Sequence, residues 1–327
     1  MSRIVLLLAG AIGILPSGII VAKEPTLKLV SVNKIWDAAP HNAFTDLIRD
    51  SDRWYCVFRE GKGHVSPDGA LRVITSADGK SWESAALIRS PNSDLRDAKI
   101  TRTPTGEWML SGAEAFHDRS KHSHQSLVWF SKDGKTWSEK HAIGDIDFWL
   151  WRTTWHRKVA YSVGYGCGRE RLVRLYASKD GKAFEPIVPR LFDKGYPNES
   201  ALLFDSDTAY CLLRRDGNPS SGLWGISQAP FTEWKWLDMG VKIGGPQMIR
   251  LPNGKILAAV RLYDRKVRTA LAWIDPTTGK LTEALALPSG GDTSYAGMVW
   301  HDNQIWVSYY SSHEGKTNIY LAVVAVE

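Results

Sequence analysis

The sequence predicts an all-β propeller of six four-stranded blades. Three observations carry that expectation: a turn motif that recurs, a two-strand unit that repeats six times, and almost no capped helical periodicity. SADGKSW (Ser76 to Trp82) returns as SKDGKTW (Ser131 to Trp137) and, eroded, as SKDGKAF (Ser178 to Phe184), with the aspartates 55 and 47 residues apart. Each copy follows an apolar run, LRVIT, SLVWF or VRLYA. Asp accepts backbone N–H bonds, Gly takes a positive φ, and Trp packs back between neighbouring sheets, so the motif reads as a strand entering a tight turn.

Taken in order, the chain opens on Arg3 and an apolar run from Ile4 to Leu15, broken by Pro16 and Ser17 and closed by the small Ala22. That is the layout of a secretory signal, too short for a membrane span of about 20 residues. A signal peptide is expected at 1–22 and one propeller domain at 23–327, secreted or periplasmic, with no membrane span once the signal is cleaved. A spare strand, LKLVSVNKIW (Leu27 to Trp36), follows. The six strand–turn–strand units then run over 44–58, 98–112, 153–166, 200–213, 247–260 and 296–310, about fifty residues per repeat, the size of a propeller blade. GLWGIS, TALAWI and NIYLAVVAV read as third strands of the last three units. The last unit stops at its third strand, so the spare N-terminal strand is expected to complete blade six and hide both sheet edges.

Composition sets the function classes aside. With 327 residues, 43% hydrophobic and 23% charged, the chain is globular, and disorder, collagen and coiled coil are excluded. The formal charge of +6 is spread singly and in pairs, without the basic block that grips nucleic acid, so no nucleic-acid partner is expected. Cys56, Cys167 and Cys211 lie in apolar runs and read as buried thiols. No P-loop, dinucleotide fingerprint or G-x-S-x-G elbow is present, and His117, His122 and His124 read as a polar loop, so neither cofactor nor metal is expected.

The recurring turns on a six-unit propeller behind a signal resemble the Asp-box repeats of the sialidase (neuraminidase) superfamily, over nearly the whole mature chain. The resemblance implies an exo-acting glycoside hydrolase, working as a monomer on an acidic glycan. Glu199 in YPNESALLF and Arg214 in CLLRRDG look like the Glu that assists the nucleophile and an Arg that holds the substrate carboxylate. Arg268 in KVRTALAWI resembles the next carboxylate-binding Arg, with Arg261 as the other choice. Tyr295 in DTSYAGMVW looks like the nucleophile, and Glu314, 19 residues on, like a buttressing Glu. In FREGKGHVSPDGALRV, Arg59 and Asp68 resemble the Arg and the general acid of blade one, with His64 as a rival acid because its ordinary pKa is nearest neutrality. The first Arg of the family's triad has no counterpart in HNAFTDLI (His41 to Ile48). Asp97, Arg96, Asp46, Gln247 and Arg152 complete the expected lining, Arg152 offering a cation from another blade.

The chemistry is coherent. A sugar acid brings its own carboxylate, so a carboxylate nucleophile would be repelled, whereas a phenol deprotonated by a neighbouring Glu is not; sialidases are an exception to the two-carboxylate scheme for this reason. Tyr starts near pKa 10 and needs a base beside it. Two other readings share the fold: a propeller glycosidase for another uronic or deoxy sugar, and a glycan-binding propeller that breaks no bond.

Overall fold

A computed structural model describes residues 24–327, which form strands, turns and loops; the expected signal peptide lies outside the described residues. After β1 (Leu27–Trp36), blade one holds β2 (His41–Asp50), β3 (Arg53–Gly61), β4 (Ala70–Ser76) and β5 (Glu83–Ile88). Blade two holds β6 (Ser93–Arg102), β7 (Trp108–Phe116), β8 (His124–Ser131) and β9 (His141–Ile143). Blade three holds β10 (Phe148–His156), β11 (Val159–Gly166), β12 (Val173–Ser178) and β13 (Glu185–Phe192). Blade four holds β14 (Pro197–Asp205), β15 (Thr208–Arg215), β16 (Leu223–Gln228) and β17 (Trp234–Asp238). Blade five holds β18 (Ile243–Arg250), β19 (Ile256–Leu262), β20 (Arg268–Ile274) and β21 (Leu281–Ala286), and blade six β22 (Thr293–His301), β23 (Gln304–Ser311) and β24 (Asn318–Val326).

The fourth strand of blade six is β1, antiparallel to β24 from Leu27 opposite Val326 to Trp36 opposite Ile319. Thr26 and Glu327 clasp the seam with a reciprocal pair of 2.9 Å backbone bonds. The ring therefore closes by joining the two ends of the domain, as the spare strand predicts.

Second and third strands are buried on both faces because each sheet is packed between two others, and their apolar side chains form the core. The recurring turns link third to fourth strands. In each, a serine hydroxyl accepts the glycine N–H at 2.9 Å, and the Asp carboxylate accepts two further backbone N–H groups, at 2.8 Å each in the first copy. Gly79 has φ 71° and lies where a Cβ would come within 2.5 Å of the Trp306 ring on β23, so this turn is both a bend and a contact between blades.

All six innermost strands carry a β-bulge at the same place. Two residues face one on the second strand at Phe44–Thr45, Asp97–Ala98, Trp151–Arg152, Asn198–Glu199, Gly245–Pro246 and Tyr295–Ala296. Bulges re-aim side chains and gather near functional sites. Here six of them form a circle around the ring axis near the start of the inner strands. At the other end of the axis, the later residues of the same strands, including Asp46, Lys99, Arg152 and Gln247, line a cavity of about 630 Å³.

Candidate active site

The bulge circle brings together the residues that carry chemistry. Glu199 is the second bulge residue of β14, and Arg214 is the single residue opposite that bulge, which is why residues 15 apart in sequence touch. Tyr295 is the first bulge residue of β22 and takes φ 52° behind Ser294 at φ 98°, conformations that cost about 1–3 kcal/mol each for a non-glycine residue. The bend turns the phenol inward, where its hydroxyl donates to Glu199 Oε1 at 2.5 Å. Glu199 Oε2 accepts from Arg214 Nη1 at 2.7 Å and from the Gly245 N–H at 2.9 Å, and the same Arg214 nitrogen donates to the Tyr295 oxygen at 3.1 Å.

Burial works to raise the Glu199 pKa, but the Arg214 charge beside it and the bonds from Tyr295, Arg214 and Gly245 hold it below the ordinary carboxylate range. Burial, then the Glu199 charge, pushes the Tyr295 phenol well above its ordinary value. At neutral pH the proton therefore rests on Tyr295, shared toward an ionised acceptor. A hydroxyl held by an ionised carboxylate, with a cation on both, is an arrangement suited to a nucleophile and its base.

A second network abuts the first. Arg261 on β19 lies over the Tyr295 ring at 5.3 Å, donates to the Thr293 carbonyl at 2.7 Å, and reaches the Tyr310 hydroxyl at 2.9 Å. Tyr310 donates to Asp292 Oδ1 at 2.7 Å, while Asp292 Oδ2 lies 2.7 Å from His64 Nδ1 and 3.2 Å from His41 Nε2. Burial opposes the Asp292 charge, yet the bonds from His41, His64 and Tyr310 and the His64 charge hold its carboxyl far below the ordinary range. His41, His64 and Asp292 present their donor atoms within 4.8 Å of one another, a group able to hold a cation, although the Arg261 guanidinium 3.5 Å from the same carboxylate opposes one. Phe44 joins the two networks, with its ring 5.2 Å from Tyr295 and 5.1 Å from His64.

Other predicted residues fall at graded distances from this centre. Asp97, at φ 53° in the β6 bulge, is 5% exposed. Arg96 beside it lies over the Phe44 and Trp149 rings at 5.4 and 5.9 Å. Arg152 points down the axis, bonded to Asp46 at 2.7 Å and to the Ala296 carbonyl at 3.1 Å, so it belongs to the floor between the mouth and the far cavity.

Four expected residues do not join the cluster. Arg268 faces away from it: strand alternation places Arg261, opposite Thr269, on the side of blade six, and Arg268, opposite Leu262, on the other side, where it binds Glu283 at 2.5 Å and Asp264 at 3.0 Å. Arg261 holds the position expected of Arg268. Glu314 is exposed one strand too far out, on the β23–β24 turn, accepting from Tyr320 at 2.8 Å and facing Lys34 at 3.6 Å. Arg59 is fully buried and spends its guanidinium on Asp94, the Gly63 carbonyl and Ser66, which pins the loop that carries His64. Asp68, on that loop, is exposed and accepts from the Lys62 N–H at 3.2 Å.

His41, Asp292 and Tyr310 were not singled out by sequence reasoning, since none stands in a recognisable motif. The one available signal was Asp292 three residues before Tyr295.

The fold has known counterparts. The chain superposes on a protein of unknown function from Dyadobacter fermentans DSM 18053 with a TM-score of 0.83, at 18% identity over 93% of this chain and 100% of that one. The sialidase of Trypanosoma rangeli, bound to the inhibitor DANA, gives 0.69 at 13% identity over 87% of this chain; the match spans 55% of that protein's length. An α-L-arabinofuranosidase from Fusarium graminearum, bound to an iminosugar inhibitor, gives 0.67 at 12% identity over 90% of this chain and 97% of that one. No protein-family profile and no curated protein sequence matches the chain. At these identities the likeness is one of fold, shared with propeller glycoside hydrolases.

Proposed function

We propose that the protein is an exported, sialidase-like glycoside hydrolase that releases a terminal acidic sugar from a glycan through a tyrosyl intermediate. The observation that carries this reading is the 2.5 Å bond from Tyr295 to the Glu199 carboxylate, with Arg214 touching both. Tyr295 attacks the anomeric carbon as the glycosidic C–O bond breaks, its proton passing to Glu199 and the aglycone departing with a proton from a general acid. Water later attacks the same carbon and returns a proton to that acid, and the phenolate leaves with the Glu199 proton restored to it. Arg214 and Arg261 offset the charge that develops on the phenol, and Arg96 offers a further cation at the mouth for an anionic group on the sugar.

A neutral sugar is the second reading. It is favoured by the engagement of both buried arginines, Arg214 with Glu199 and Asp216 and Arg261 with Tyr310 and Asp292. Assay against paired chromogenic glycosides tests both. Preferential hydrolysis of a sialoside or uronide over neutral pentosides and hexosides supports the acidic sugar, preferential hydrolysis of a neutral furanoside or pyranoside supports the second reading, and binding without cleavage of any member refutes the hydrolase.

A further inference from the structure

We propose that Asp97 is the proton donor to the leaving group, an assignment that rests on the hydrolase reading above. It stands on placement. The working side chains of the bulge circle come from alternate blades: Asp97 from β6 in blade two, Glu199 from β14 in blade four and Tyr295 from β22 in blade six. Blades one, three, four and five fill the first bulge position with Phe44, Trp151, Asn198 and Gly245, which carry no acid or base, and blade four sets Glu199 at the second position instead. A sugar ring seated over this circle meets the phenol–carboxylate pair on two sides and a single carboxyl group on the third.

The condition of that carboxyl fits a donor. Asp97 is 5% exposed, its backbone holds φ 53°, and Oδ1 is buried without a hydrogen-bond partner among the described residues. An ionised carboxylate with an orphaned buried oxygen is costly, and protonation removes the charge that needs satisfying. Its charged and titratable neighbours are Arg96 and Lys99 on its own strand, Glu199 from β14, His64 from the β3–β4 loop, Tyr295 from β22, and Tyr165 and Cys167 from β11 and the residue after it. Burial, aided by the Glu199 charge, outweighs Lys99, Arg96 and His64 and raises the Asp97 pKa. Asp68 is in the opposite condition: slight burial works upward, but Ser66 and the Lys62 N–H hold the exposed carboxyl below its usual value, leaving it no proton to give at neutral pH.

The step balances. As the glycosidic C–O bond breaks, the Asp97 proton goes to the departing oxygen while the Tyr295 oxygen bonds to the anomeric carbon and its proton moves to Glu199. Asp97, now ionised, then takes a proton from the incoming water, which restores the acid.

The experiment compares Asp97→Asn with wild type on two glycosides of the same sugar, one with an alkyl leaving group and one with dinitrophenol, alongside Asp68→Asn and Tyr295→Phe. The proposal expects Asp97→Asn to lose roughly 10²–10⁴-fold on the alkyl glycoside and less than about tenfold on the dinitrophenyl one, which needs no protonation. Asp68→Asn changes both rates by no more than about twofold. Equal losses by Asp97→Asn on the two substrates, or none, overturn the assignment. Activity retained by Tyr295→Phe beside a leaving-group effect of Asp97→Asn overturns the nucleophile and keeps the donor. A second readout needs no substrate: in ¹³C-Asp NMR, the resonance lost in Asp97→Asn titrates above the ordinary Asp value of about 3.9, and titration at or below that value overturns the assignment.

Discussion

Replacing Tyr295 with Phe removes one oxygen from the centre of the site, and the structure fixes what that costs. The hydroxyl makes two contacts, 2.5 Å to Glu199 and 3.1 Å to Arg214. Without it, Glu199 Oε1 loses its donor while Oε2 keeps Arg214 and the Gly245 N–H. An acceptor left unsatisfied costs about 1–3 kcal/mol, and the retained bonds place this case near the lower end. The ring keeps its neighbours, Phe44 at 5.2 Å, Trp151 at 5.4 Å and Tyr310 at 5.7 Å, and a Phe meets the same backbone strain as a Tyr. A loss of about 1–2 kcal/mol corresponds to a drop in Tm of roughly 1.5–3 °C in a domain of this size. Turnover depends on the missing atom itself and falls by at least about 10³-fold, with any residual rate coming from binding and electrostatics. Thermal melts and initial rates on one cleaved glycoside measure the two effects separately. Hydrolysis within tenfold of wild type refutes Tyr295 as nucleophile, and a loss of more than about 4 kcal/mol refutes the packing argument.

Glu199→Gln leaves the phenol without a base and lowers turnover about 10²–10⁴-fold; because the wild-type carboxyl is held below its ordinary value, wild-type activity falls only when acidification drops below the usual carboxylate range, and an acid limb near neutrality contradicts this. Lys99 is pushed down to about 8 by burial and then by the Arg152 charge. The unfolded chain binds the proton more tightly than the fold between pH 8 and the ordinary lysine value, so this group makes stability rise with pH across that window, by about 3 kcal/mol. Denaturant melts of Lys99→Met lack that increment, and an unchanged pH profile in the variant rejects it. Deleting residues 24–37 strips blade six of its outer strand and exposes the β24 edge, so the shortened chain is expected to aggregate or unfold, and a soluble cooperative melt at the wild-type Tm refutes the closure.

The fold was legible because repetition makes it so. The turns around Asp78, Asp133 and Asp180, the six strand pairs and the spare strand at Leu27–Trp36 are all written in local patterns, and each of these elements is present in the structure. The site was legible only in part, for one physical reason. Alternation marked the inner strands from 44, 98, 153, 200, 247 and 296, whereas they begin three to five residues earlier. In five of the six blades the missing stretch holds the first bulge residue, where the two-residue period is interrupted, and there the working residues sit. Tyr295, Glu199 and Asp97 thus lay at the edge of the readable pattern. Arg268 and Arg261 differ only in which face of blade five they occupy, a matter of register across β19 and β20 that the sequence alone leaves open. His41 and Asp292 meet across 251 residues, with no shared motif to announce them.

The central claim is that the Tyr295 oxygen forms a bond to the sugar. Incubation with mechanism-based fluorosugars, 2,3-difluorosialic acid and a 2-fluoro furanosyl fluoride among them, followed by proteolysis and mass spectrometry, tests it directly. The account predicts a stable glycosyl adduct on the peptide containing Tyr295, in step with loss of activity and absent from Tyr295→Phe. An adduct on Glu199 or Asp97, or rapid turnover of cleavable glycosides with no adduct on any residue, would contradict it.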